Sequence, residues 1–150
     1  MVHNTGIKVR VKIKRNAGGW TSAERAEILQ AVNWGVSEIG IQDEDVRLNV
    51  VLNADPSIYG DAYYEDDLGT ATIRISSKEK SNNRHLRTVF HELWHVFQYL
   101  RQGLELGEKA MFNGKEHDFD YWNAPWEKAA RHKESYLLRK YQKHLDRSAK

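Results

Sequence analysis

With 150 residues, 40% of them hydrophobic and 29% charged, the chain has the balance of one globular domain and is too apolar for a disordered segment. A formal charge of +2 is too small to imply nucleic acid as a partner. The absence of cysteine excludes disulfides, thiolate metal sites and cysteine nucleophiles, and it fits a reducing compartment.

The opening MVHNTGIKV has no apolar signal core and no apolar run is long enough to cross a bilayer, so a cytoplasmic protein with no membrane partner is expected. In GIKVRVKIKR, Ile7, Val9, Val11 and Ile13 alternate with Lys8, Arg10, Lys12 and Lys14, which predicts a strand with one buried face and one basic, wet face. That basic row reads as a solvated or protected sheet surface before it reads as a phosphate contact. Thr21 with Glu24 forms a capping-box pattern that opens a helix through about Ile39, striped by Ala23, Ile28, Leu29, Val32 and Val36. DVRLNVVLN alternates again through Val46, Leu48, Val50 and Leu52, and Asp55-Pro56 ends it in a turn. DAYYEDDLGTATIRIS then predicts a hairpin around Asp66 to Gly69. Its second arm, Thr70 to Ser76, is short and half-polar, as expected of a sheet edge.

A helix is predicted from about Asn83 to Gln102, stopping near Gly103. Leu86, Val89, Phe90, Leu93, Phe97 and Leu100 cluster on one side of it, while His91, His95, Gln98 and Gln102 fall nearly opposite. A solvated face would carry Lys, Glu and Arg there; histidines and amides indicate a helix buried on one side and lining a cleft on the other. Asn113-Gly114 is a two-residue hairpin signal. Asn123 is placed to cap a last helix whose first turn holds Pro125, Trp126 and Glu127. The order strand, helix, strand, strand, helix, hairpin, helix indicates one α+β domain over residues 1–150, a small twisted mixed sheet with helices packed on it.

Within HELWHVFQYL, His91 and His95 stand four apart, so on a helix their imidazoles lie one above the other and can share a metal ion, with Glu92 beside any water bound to it. The five-position pattern arises in about one composition-matched shuffle in forty, so it needs a third ligand and a cleft. His117, Asp118, Asp120, Glu127 and His132 are the downstream candidates. Glu127 has the rigid platform of a helix first turn, although an acid there is also explained by the helix dipole.

HELWHVFQYLRQG, then FNGK, then DYWNAPWEKAA resembles the small gluzincin-type, minigluzincin-like zinc metallopeptidases, which are often phage-encoded. The resemblance covers roughly residues 85 to 131 and includes HExxH, a hairpin and a PWExxA helix; the strand-helix-strand-strand lead-in is similar to a zincin core. It implies one Zn2+ per chain held by His91, His95 and Glu127, with Glu92 as general base in hydrolysis of a peptide bond. Larger gluzincins place an acid one turn after the glutamate ligand to orient a histidine, and here that position is Arg131.

Such chemistry calls for a further donor to the developing oxyanion, and Tyr121, His117, Tyr136 and His132 are the candidates. A peptide or protein substrate is expected to add as a strand along Thr70, Thr72 and Arg74. The leading expectation is a zinc metalloendopeptidase. One alternative is a zinc-binding regulatory or peptide-binding module of the same fold with little turnover. Another is a SprT-like, DNA-associated protease that uses His117 as third ligand and the Lys8 to Lys14 row as its DNA face. The sequence does not set an oligomeric state.

Overall fold

The period-two segments of the sequence assemble into one sheet. The computed structural model describes residues 6–13, 19–53, 60–77, 80, 84–117 and 123–149. Strands β1 (Lys8–Ile13), β2 (Arg47–Asn53), β3 (Gly60–Glu65) and β4 (Thr70–Ser76) lie in the order β1-β2-β4-β3. β1, β2 and β4 run parallel and β3 is antiparallel to β4. The register carries Val11, Val50, Ile73 and Ala62 in one row across the sheet. Alternation thus does here what one-sided burial requires: Leu48, Val50, Leu52, Ala71, Ile73 and Ile75 reach no solvent. The turn expected at Asp55-Pro56 lies outside the described residues.

β4 is not the edge expected from its half-polar composition. The chain preceding it folds back through a 3-10 turn at Asp66–Leu68 and Gly69, whose φ of +59° suits glycine, so β3 pairs along the outer side of β4 and becomes the edge itself. Thr72 is polar yet buried because Asn49 on β2 and Tyr63 on β3 flank it. Composition alone does not separate such a strand from an edge.

Helix α1 (Ser22–Ile39) begins with the expected reciprocal cap: Glu24 N–H donates to Thr21 Oγ1 (3.1 Å) and Thr21 N–H to Glu24 Oε1 (3.0 Å). It packs on β1 and on α2 (His85–Arg101), which also meets β3, β4 and α3 (Pro125–Ser148). Trp34 of α1, Phe90 of α2 and Tyr141 of α3 join the three helices, with ring centroids 5.1 to 5.7 Å apart. α3 starts one residue later than expected. Its N-cap is Ala124, without a side-chain cap, and Pro125 takes the first helical position.

Between α2 and α3 the chain makes a second, three-stranded antiparallel sheet of β5 (Glu105–Leu106), β6 (Ala110–Phe112) and β7 (Lys115–His117). Asn113 and Gly114, at φ of 53° and 78°, form the predicted two-residue turn; β5 is too short to have left a periodic signal. Leu104, Ala110, Phe112, Ala124 and Trp126 form a small core under this sheet, which anchors the first turn of α3. Among the described residues no helix is long and apolar enough to cross a membrane.

Phe90, on α2, meets Trp34 of α1 and Tyr141 of α3 from a fully buried position, whereas Leu68 is 58% exposed. Phe90→Ala is therefore expected to destabilise the fold by about 3–5 kcal/mol, and Leu68→Ala by no more than about 0.5 kcal/mol. Denaturant titrations of the two variants measure the contrast.

Candidate metal centre

α2 is buried on two sides. Val89, Phe90, Leu93 and Val96 enter the main core, and His95 and Gln98 are buried on the other flank. This turns the i, i+4 histidine pair inward, with ring centroids 4.9 Å apart. His91, Glu92 and His95 form a group whose ligand atoms lie within 4.8 Å of one another, placed to bind a metal. From the first turn of α3, anchored by Trp126, Glu127 meets both rings: Oε2 is 3.2 Å from His91 Nε2 and Oε1 is 2.9 Å from His95 Nε2. All four side chains line one cavity of about 110 Å³, with Gly60, Asp61 and Ala62 of the edge strand, Tyr99, Leu104 and Leu106.

The outer nitrogens of the two rings are held as well. Gln98 is fully buried and its Nε2–H donates to the Trp126 carbonyl (2.9 Å), which can only accept. That fixes Gln98 Oε1 toward His95 Nδ1 (2.7 Å), so Nδ1 carries the proton. On His91, Nδ1 faces Glu134 Oε1 at 3.4 Å. Each imidazole therefore has an oxygen acceptor at both nitrogens. A neutral imidazole donates from only one, so the arrangement calls for positive charge at the two inner nitrogens, either as protons or as one cation between them.

The electrostatics of the site agree. Burial works to lower the basicity of His91, but its hydrogen bonds to Glu127 and Glu134 prevail and hold the imidazolium to about pH 10. Burial would raise Glu127, yet hydrogen bonds from His91 and His95 bring its carboxyl down to about 2. Glu92 is 5% exposed, and burial lifts it to about 7 against the opposing pull of His95 and His91. Its carboxylate reaches the edge strand because residue 60 is glycine: a Cβ there would lie 3.1 Å from Glu92 Oε2 and 2.6 Å from the Thr88 methyl.

Among the described residues, the other expected site residues do not line this cavity. His117, on β7, packs its ring against Phe112 and Trp126 (centroids 6.4 and 5.8 Å). His132 and Tyr136 are exposed on α3, and Tyr136 lines a separate groove. Tyr121, Asp118 and Asp120 lie outside the described residues. Thr70, Thr72 and Arg74 sit on the interior strand β4, so the backbone facing the cleft is that of β3. Arg74 acts indirectly: its Nε–H donates to Asp61 Oδ1 (2.7 Å), and Asp61 lines the cavity.

Sequence reasoning missed Glu134, Tyr99 and Asp61. Glu134 stands two turns after Glu127, and seven residues bring a helical side chain closer to the same face than four do; the signal was present, one turn further along than Arg131. Asp61 and Tyr99 enter through the β3–β4 hairpin and the end of α2, which no local pattern places together. Neither a known protein family, nor a curated protein, nor a solved structure matches the chain.

Two predictions follow from these contacts. Glu127→Ala is expected to lose an added divalent metal under mild competition with a chelator, whereas His117→Ala, removed from the cavity, is expected to retain it; the reverse order would put His117 rather than Glu127 at the metal. Gln98→Leu removes the proton acceptor of His95 and the tie to Trp126, and its metal affinity is expected to fall about 10–100-fold, read in the same titration.

Proposed function

We propose that the chain is a zinc-dependent metallopeptidase of the zincin type. The observation that carries this reading is the convergence of Glu127 on the inner nitrogens of both histidines, in a cavity where a buried Glu92 stands beside them. Two imidazole nitrogens and one carboxylate are a donor set that suits catalytic zinc and leaves a coordination position free. His91, His95 and Glu127 would hold the ion and Glu92 would not. When bound, zinc supplies Lewis acidity to a carbonyl oxygen and acidifies water.

The remaining work falls to side chains and backbone already in position. Glu92, buried beside both histidines, is suited by position to take a proton from the attacking water and to give it to the departing amine. The outer edge of β3 offers backbone N–H and C=O groups along which an extended peptide can add as a strand, carrying its scissile bond past Glu92. Tyr99 is the phenol that lines the cavity among the described residues, and it would stabilise the oxyanion in place of His117, His132 and Tyr136. Gly60 lets the strand come close enough for these groups to act on one bond.

The small volume of the cavity, about 110 Å³, favours a second reading, a zinc-holding peptide-binding module with little turnover. Two measurements separate them. Protein purified without chelator is expected to contain about one zinc per chain by elemental analysis. Glu92→Gln keeps the shape of the side chain and removes the base, so cleavage of a peptide library should drop at least ~10²-fold with zinc retained. Zinc-loaded wild type that cuts nothing, yet binds peptides, would select the second reading.

A further inference from the structure

Beyond the metal centre, the strongest feature of the surface is a groove of about 520 Å³ between α1 and the C-terminal half of α3. Its walls carry Arg139, Lys140, Lys143 and Arg147 with the rings of Trp34, Tyr136 and His144. Arg139, Lys143 and Arg147 recur every fourth residue, so they form one ridge with a step of about 6 Å along the helix. All three are exposed, and none has a carboxylate partner among the described residues. Glu38 is the acid in the groove, and Lys140 already pairs with it. The ridge lies opposite the face of α3 that presents Glu127 and Glu134 to the histidines and Leu137 and Tyr141 to the core. The small net charge of the chain conceals this separation: α3 alone carries seven Lys and Arg against three acids.

We propose that this groove binds single-stranded nucleic acid, with the ridge on successive phosphates and Tyr136 as a stacking platform. Unneutralised cations at regular spacing fit a polyanion better than a discrete anion, and nothing in the groove is arranged around one buried point. Tyr136 is 44% exposed, with Lys133 and Lys140 at 5.1 and 5.7 Å from its ring, an aromatic surface bordered by cations. A lipid surface fits less well, because a membrane-seated helix buries a row of large apolar side chains and Tyr136 is the exposed one on this face. The proposal is independent of peptidase activity, since the groove shares no residue with the metal cavity.

The test is fluorescence anisotropy of a labelled oligothymidylate of about 20 nucleotides, titrated with full-length protein from low to moderate salt. Binding is expected, with log affinity falling linearly against log salt. In the triple variant R139A/K143A/R147A the affinity should fall at least about 10-fold and the salt slope shrink by about 2. Tyr136→Leu should weaken the single strand by about five-fold and leave a duplex of equal length unchanged. The double variant R139K/R147K, which keeps charge, should bind as wild type, and unchanged zinc content and circular dichroism show that the triple variant is folded. Absence of binding at low salt, equal affinity in the folded triple variant, preference for the duplex, or capture by phosphatidylserine vesicles with none by the oligonucleotide would each overturn the proposal.

Discussion

The site is organised by hydrogen-bond arithmetic on two imidazole rings. A histidine has two ring nitrogens, and a neutral one can donate from only one of them. Here oxygen acceptors stand at both nitrogens of both rings: Glu127 on the inside, Glu134 and Gln98 on the outside. Without added positive charge each ring would turn one lone pair toward a carboxylate, that of His95 toward Glu127 at 2.9 Å. Carboxylate, amide and imidazole thus call for positive charge in their midst, as protons or as one cation, and they do so through contacts that neighbouring elements fix.

Those elements are held by two different cores. The larger one, through Trp34, Phe90 and Tyr141, locks α2 between α1 and α3 and so fixes the direction in which the histidines point. The smaller one, around Phe112 and Trp126 under the second sheet, fixes where α3 begins and therefore where Glu127 stands. Gln98 connects them, since its amide bonds to His95 through one atom and to the Trp126 backbone through the other. A single buried side chain correlates the proton position on one histidine with the placement of the acid opposite it. Half-satisfied buried polar groups are costly, and this one is satisfied at both ends.

Much of this was legible along the chain wherever periodicity and capping chemistry act locally. The Thr21–Glu24 box, the alternation of β2 and the Asn113-Gly114 turn appear as read, and the paired histidines lie on a helix buried on both flanks. Legibility failed where the deciding neighbour is distant in sequence. The position of β4 depended on the preceding arm folding over it, and the polarity of Thr72 gave the opposite impression. Tyr99 and Asp61 meet at the cavity only because a hairpin from one part of the sheet closes over the end of α2. Glu134 was readable in principle, and the helical wheel of α3 beyond its first turn would have exposed it. Net charge is silent in the same way, because a sum over the chain carries no information about which face each charge occupies.

Gly60 has a consequence for how this cleft can diverge. The separation between the edge strand and α2 is set at that point by backbone against the Glu92 carboxylate and the Thr88 methyl, with no side chain from the strand intervening. The neighbours on β3, Asp61 and Ala62, line the cavity without setting its depth. Depth and lining are therefore governed by different positions. Substitutions along the strand can therefore change the lining of the cleft while the spacing at its floor stays fixed, so the two properties are separable by position.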